Sequence, residues 1–203
     1  MKKRHLTRFV LGILAIILLN VLFARYFFRI DLTEEQRYTL APATKNLLRN
    51  LDKDLHVKVY LAGDIPNGFK PLQRAVRETL DEFQVYAGNK LTYSFLDPTG
   101  VENTPEAQAT FYQELMAKGI VPNNIVVREG QGRVEKLVFP GALISCYDKE
   151  SGAIRDEAVP LFKTVDQRVL NLSPEQILNQ SLENTEFNLI SGIKKLASRS
   201  DNG

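Results

Sequence analysis

Residues 55–96 read LHVKVYLAGDIPNGFKPLQRAVRETLDEFQVYAGNKLTYSFL, and this stretch decides the fold. It opens with LHVKVYL (55–61), where apolar and polar residues alternate as in a strand with one buried face. A loop containing Gly63, Pro66 and Gly68 follows. From Pro71 the period changes: Leu72, Val76, Leu80, Phe83 and Ala87 are spaced by 4, 4, 3 and 4, which places all five on one face of a helix. Gly88-Asn89 stops that helix, and LTYSFL (91–96) is a second strand closed by Asp97-Pro98. Strand, helix and strand in this order predict parallel pairing through a right-handed crossover.

On the C-terminal side, Thr104 caps a helix with Pro105 at its first position, and Ala107, Phe111 and Leu115 form its buried face before Gly119. This gives a second βαβ-like unit. Residues 125–128 and 134–139 flank the turn Glu129-Gly130-Gln131-Gly132 and predict a hairpin. An apolar run over 142–147 and a strand over 158–162 are joined by a turn at Ser151-Gly152. Ser173 and Gln176 form a capping box around Pro174, and Leu178, Leu182, Leu189, Ile193 and Leu196 continue one stripe, predicting a single helix of about 25 residues. On the N-terminal side, Pro42 starts a short helix carrying Leu47, Leu48 and Leu51. The fold class expected is α/β (α+β): a mixed β-sheet with flanking helices.

The 203 residues carry 44% apolar and 25% charged residues with one cysteine, figures that exclude a disordered tail, a collagen-like chain, a disulfide scaffold and a polytopic membrane protein. The net charge of +2 is unevenly placed. Residues 1–30 hold Lys2, Lys3, Arg4, Arg8, Arg25 and Arg29 with no acid, leaving 20 basic residues against all 24 acids in the remainder. Nucleic-acid binding is therefore not expected: the bulk of the chain is net negative, without a basic patch interleaved with aromatics.

Residues 9–28, FVLGILAIILLNVLFARYFF, match the hydrocarbon thickness of a bilayer as a helix. Phe9, Leu14, Leu18, Asn20 and Phe28 mark this expected transmembrane anchor, with Asn20 as an interhelical hydrogen bonder. A secretory signal peptide has a shorter apolar region and a small-residue exit, whereas the exit here is Phe23, Arg25, Tyr26, Phe27. The cluster Lys2, Lys3, Arg4 and Arg8 outweighs Arg25 and Arg29, which keeps the N-terminus cytoplasmic and the main domain outside. The organisation expected is a cytoplasmic basic tail (1–8), the anchor (9–28), a connector (29–41), a periplasmic α/β domain (42–172) and a long helix (173–203) leading to a second domain that this chain lacks.

Catalytic signatures are sparse. His5 and His56 fall on opposite sides of the expected anchor, and neither has a neighbouring His or Cys to complete a zinc site. The sequence contains no Walker A loop, G-x-S-x-G elbow or H-E-x-x-H. Cys146, inside an apolar run without a companion His, reads as a buried strand residue rather than a nucleophile. Asp97, at the C-terminal end of a strand, stands where parallel sheets place ligand groups, although a turn residue bonding its own backbone is the commoner role. Glu34-Glu35 and Asp156-Glu157 read as solvated surface pairs. The mixed charges Lys70, Arg74, Arg77, Glu78, Asp81 and Glu82 read as a solvated helix face.

Three ordered stretches resemble a known family. They are RIDLTEEQRYTLAPATKNLL (29–48), VRETLDEFQVYAGNKLTYSFLDP (76–98), and Pro140-Gly141-Ala142 with EQILNQSLENTEFNLISGIKKL (175–196). Together they are similar to the N-terminal portion of the GldG family, auxiliary, substrate-binding-like components of gliding-motility-associated ABC transporters of Bacteroidota. Members of that family continue through a second extracytoplasmic domain to a C-terminal span. The resemblance implies a membrane-anchored periplasmic subunit without catalysis or cofactor. Its partners would be an ABC permease and a cytoplasmic ATPase subunit, with Asp31, Leu32, Thr33, Arg37 and Tyr38 of the connector as contact residues.

The element order, with Gly119-Ile120-Val121-Pro122 before the hairpin, is also similar to a thioredoxin-like arrangement. The loop Gly63-Asp64-Ile65-Pro66-Asn67-Gly68 would then stand where a redox enzyme carries C-x-x-C, and it has no thiolate for disulfide exchange. The alternative to a transporter subunit is an anchored periplasmic scaffold or ligand-binding domain working alone. An oxidoreductase or hydrolase is the weakest of the three readings.

Overall fold

The computed structural model describes residues 8, 11–14, 40–129, 132–147, 152–162 and 174–198. Two units divide the chain, Met1–Thr39 and Leu40–Gly203. In the first unit, Arg8 and residues 11–14 are helical and Leu14 is exposed. Lys2, Lys3, Arg4, Phe9, Leu18, Asn20, Phe28 and the connector residues Asp31, Leu32, Thr33, Arg37 and Tyr38 lie outside the described residues. Among the described residues no helix is long and apolar enough to cross a membrane.

The second unit is built on α1 (Pro42–Arg49), β1 (Leu55–Val59), α2 (Lys70–Ala87), β2 (Leu91–Phe95), α3 (Pro105–Ala117), β3 (Asn123–Glu129), β4 (Gly132–Val138), β5 (Gly141–Tyr147), β6 (Ile154–Pro160), α4 (Pro174–Glu183) and α5 (Thr185–Ser198). Four strands form one sheet in the order β2-β1-β5-β6, with β3 and β4 a separate two-stranded sheet. β1 and β2 are parallel, as the stretch 55–96 predicts, while β5 is antiparallel to β1 and β6 to β5.

Leu55, Val57 and Val59 of β1 face inward against α2, whose buried residues are Leu72, Val76, Leu80, Phe83 and Ala87, the five set by the helical period. Each large side chain removed from water there contributes roughly 1.5–3 kcal/mol. Gly88 at φ +59° ends α2. Thr104 caps α3, its hydroxyl accepting from the Ala107 amide at 3.3 Å. The charges on α2 are partly engaged with the sheet edge: the Arg77 guanidinium lies 4.1 Å from the Phe95 ring centroid, and the Tyr93 hydroxyl donates to Asp81.

Three expectations are corrected. The second parallel crossover does not form, because β3 pairs only with β4, and β5 takes the place beside β1. An inner strand needs side chains that tolerate burial on both faces. In GALISCY every residue from Gly141 to Ile144 is buried, whereas Arg133, Val134 and Glu135 of the hairpin are exposed. The long C-terminal helix is two helices. At the break, Asn184 Nδ2 donates to the Gln180 carbonyl (2.8 Å), which also accepts the Asn184 amide (3.0 Å), and Thr185 Oγ1 donates to the Ser181 carbonyl (3.0 Å), side-chain bonds of the kind that compete with the helical ladder. Leu189, Ile193 and Leu196 of α5 enter the same core as α2. β6 also begins earlier than the strand read over 158–162, since Arg155, Asp156 and Glu157 hide it from apolar patterning.

Candidate functional site

Among the described residues, one face of the sheet is sealed by α1, α2 and α5, and the other is only half covered. Strand register places the outer-face side chains in rows. Leu96 and Tyr60 lead the first, tied into the ladder by the Leu96 amide to the Val59 carbonyl and the Tyr60 amide to the Gly141 carbonyl, both 2.9 Å. Ser94, Lys58, Leu143 and Ala158 make the second, and Thr92, His56, Ser145 and Asp156 the third. Phe111, Tyr112 and Leu115 of α3, with Ile120, Leu137 and Phe139, pack over Leu96, Tyr60, Leu143 and Ala158. The described residues leave the third row and the Ser94–Lys58 end of the second as an open polar surface.

The third row is hydrogen-bonded in two halves. His56 Nδ1 lies 2.9 Å from Thr92 Oγ1 and its Nε2 lies 3.0 Å from Ser94 Oγ. On the other side Ser145 Oγ donates to Asp156 Oδ1 at 2.7 Å, and Lys118, just past the end of α3, reaches Asp156 Oδ2 at 2.7 Å. Burial works to raise the Asp156 carboxyl, but the hydrogen bonds from Lys118 and Ser145 and the charges of Lys118 and Lys58 outweigh it and hold the group below its ordinary range. Burial, and then the Asp156 charge, push the Tyr60 phenol up. Beyond the third row, Tyr147 and Ile154 pair in register and are 56% and 69% exposed, and the Lys90–Asp54 ion pair (3.0 Å) stands toward the β1–β2 end.

The Ser94–His56 distance permits a proton to pass between hydroxyl and imidazole. A hydroxyl rather than a carboxylate holds the other ring nitrogen, so the pair lacks the third group of a hydrolase triad. The surface suits non-covalent recognition of a polar ligand.

Asp97 takes the turn role: its Oδ1 accepts from the Thr99 amide (2.9 Å) and hydroxyl (2.7 Å), and it packs against Gly63 of the β1–α2 loop. Cys146 is buried on the inner face opposite Leu55. Asp156 and Glu157, read as solvated, each meet a lysine on opposite faces of β6, Glu157 through Lys195 at 2.8 Å. The polar row is absent from the sequence reading because its members are up to 100 positions apart in the chain. The available signal is the polar phase of each strand's alternation, which shows a solvent face without showing which strands share it.

The family match spans 34–145, more than half of the chain, and takes in Thr92, His56, Ser94, Lys58 and Ser145. The chain belongs to the DUF7088 family, a domain of unknown function. No curated protein and no solved structure matches it. The DUF7088 region includes the parallel β1–β2 pair, the hairpin and most of β5, while Asp156 and Glu157 lie beyond its last matched residue.

Proposed function

We infer that this chain is a membrane-anchored periplasmic binding or assembly subunit of an ABC transporter complex supporting gliding motility, and that it works without catalysis. The observation that carries the binding role is the open polar row Thr92, His56, Ser145 and Asp156, a broad surface spanning all four strands. The transporter assignment rests on the resemblance of 29–48, 76–98 and 175–196 to GldG-type sequences. A thioredoxin-like scaffold is supported by the sheet order β2-β1-β5-β6 with one parallel pair followed by an antiparallel pair of strands and a helix. In that scaffold the loop with Gly63 and Gly68 replaces the redox motif. The anchor over 9–28 would place the second unit in the periplasm, and ATP hydrolysis would belong to a separate chain.

Co-purification tests the assignment. From gently solubilised membranes in which the permease is present, the tagged full chain should bring down a permease and an ATPase, and failure to do so rejects the transporter role. Replacing 9–28 with an unrelated transmembrane sequence separates the two binding readings. A transporter subunit loses its partners on that exchange, whereas a scaffold that needs only tethering keeps its function.

A further inference from the structure

We propose that the open half of the sheet's outer face binds an acidic oligosaccharide, Lys58 taking a ring carboxylate and Thr92, Ser94, Ser145 and Asp156 taking ring hydroxyls. The proposal rests on the binding role above and gives it a ligand class.

Lys58 points to the charge. It stands half-buried on the inner strand β1, and among the described residues no carboxylate lies within ion-pair distance of it. The acid whose titration it influences, Asp156, is already held by Lys118 and Ser145. Among the described residues Lys118 pairs with Asp156 and Lys90 with Asp54, whereas Lys58 has no such carboxylate beside it. A partly desolvated ammonium is stabilised by an opposite charge, which the ligand would supply.

The row points to the rest of the ligand. Hydroxyls both donate and accept and a carboxylate only accepts, so Thr92, Ser94, Ser145 and Asp156 can meet a ligand rich in hydroxyls, while His56, bonded through both ring nitrogens, orients the Thr92 and Ser94 hydroxyls. Four strands about 4.8 Å apart make the row roughly 14 Å long, enough for a few sugar rings in an extended chain. Tyr147 and Ile154 on the rim supply exposed apolar surface for the C–H face of a ring. A protein partner fits less well, because the centres of protein interfaces are apolar and depleted in charge.

The test titrates the full chain, held in mild detergent, with hexagalacturonate, neutral maltohexaose and hexaglutamate, read by calorimetry and by the ring nitrogen shifts of His56. Hexagalacturonate should bind saturably, move the His56 signals and weaken with added salt. Lys58→Ala should lower its affinity about tenfold or more, while Lys195→Ala, on the opposite face, leaves it unchanged. An unaltered melting transition shows that Lys58→Ala still folds. Three results overturn the proposal: no saturable binding of the uronate, equal affinity in folded Lys58→Ala, or equal binding of maltohexaose or hexaglutamate. A chain that ignores the uronate but still brings down its permease loses the ligand and keeps the assembly role.

Discussion

Gly63 stands at φ +80°, and a Cβ built there would lie 2.0 Å from Asp97 Oδ2. Both the backbone conformation and the close approach favour glycine. Gly63→Ala should cost about 2–4 kcal/mol in urea unfolding, and adding Asp97→Ala should recover the part due to the clash. A single variant that unfolds with the parent would remove Asp97 as the reason for this glycine. Asp156 makes a pH prediction. Its folded pKa lies below the ordinary 3.8, so its pairing stabilises the fold in full above that value and the stabilisation is lost as pH falls through the folded one. Asp156→Asn should therefore lower stability at neutral pH by about 1 kcal/mol, the pair being partly exposed, and flatten the acid limb of the stability curve. Equal slopes in the two proteins between neutral and acid pH would count against it. At this scale the sequence shows Gly63 and Asp97 as turn residues but not that they touch, since 34 positions separate them.

Helix α2 is the most legible element, because its five buried residues follow one period and its stop is a glycine. Helices α4 and α5 are less so: the apolar stripe continues across the break, which is marked by side-chain bonds from Asn184 and Thr185 to carbonyls four residues back. How α5 meets the sheet depends on Gly192, where a Cβ would lie 2.4 Å from Val159 Cγ2 and 2.8 Å from Ile144 Cδ1. Gly192→Ala trades a gain in helix propensity for overpacking against β5 and β6. The net expectation is a loss of about 1–3 kcal/mol. Thermal melting checks the sign, and a stabilised variant would mean that α5 slides freely on the sheet.

At the scale of the whole molecule, Cys146 is a reporter of global opening. Its thiol, on β5 beside Leu55 of β1, is buried in the core of the inner face, so labelling by a thiol reagent should need unfolding of the core rather than fraying. Under native conditions the labelling rate should rise tenfold for each 1.4 kcal/mol of destabilisation in variants such as Gly63→Ala, while fast labelling of the parent would place the thiol in a locally opening region. The amino-acid sequence by itself determined the local elements, the parallel β1–β2 unit and the inner face of α2, because periodicity and capping act over a few residues. Only the tertiary structure decided that β5 rather than β3 sits beside β1, that α5 completes the core, and that Thr92, His56, Ser145 and Asp156 share a row. Those outcomes depend on which strand best tolerates burial on both faces and on register between distant segments, and neither is encoded in any one stretch of the chain.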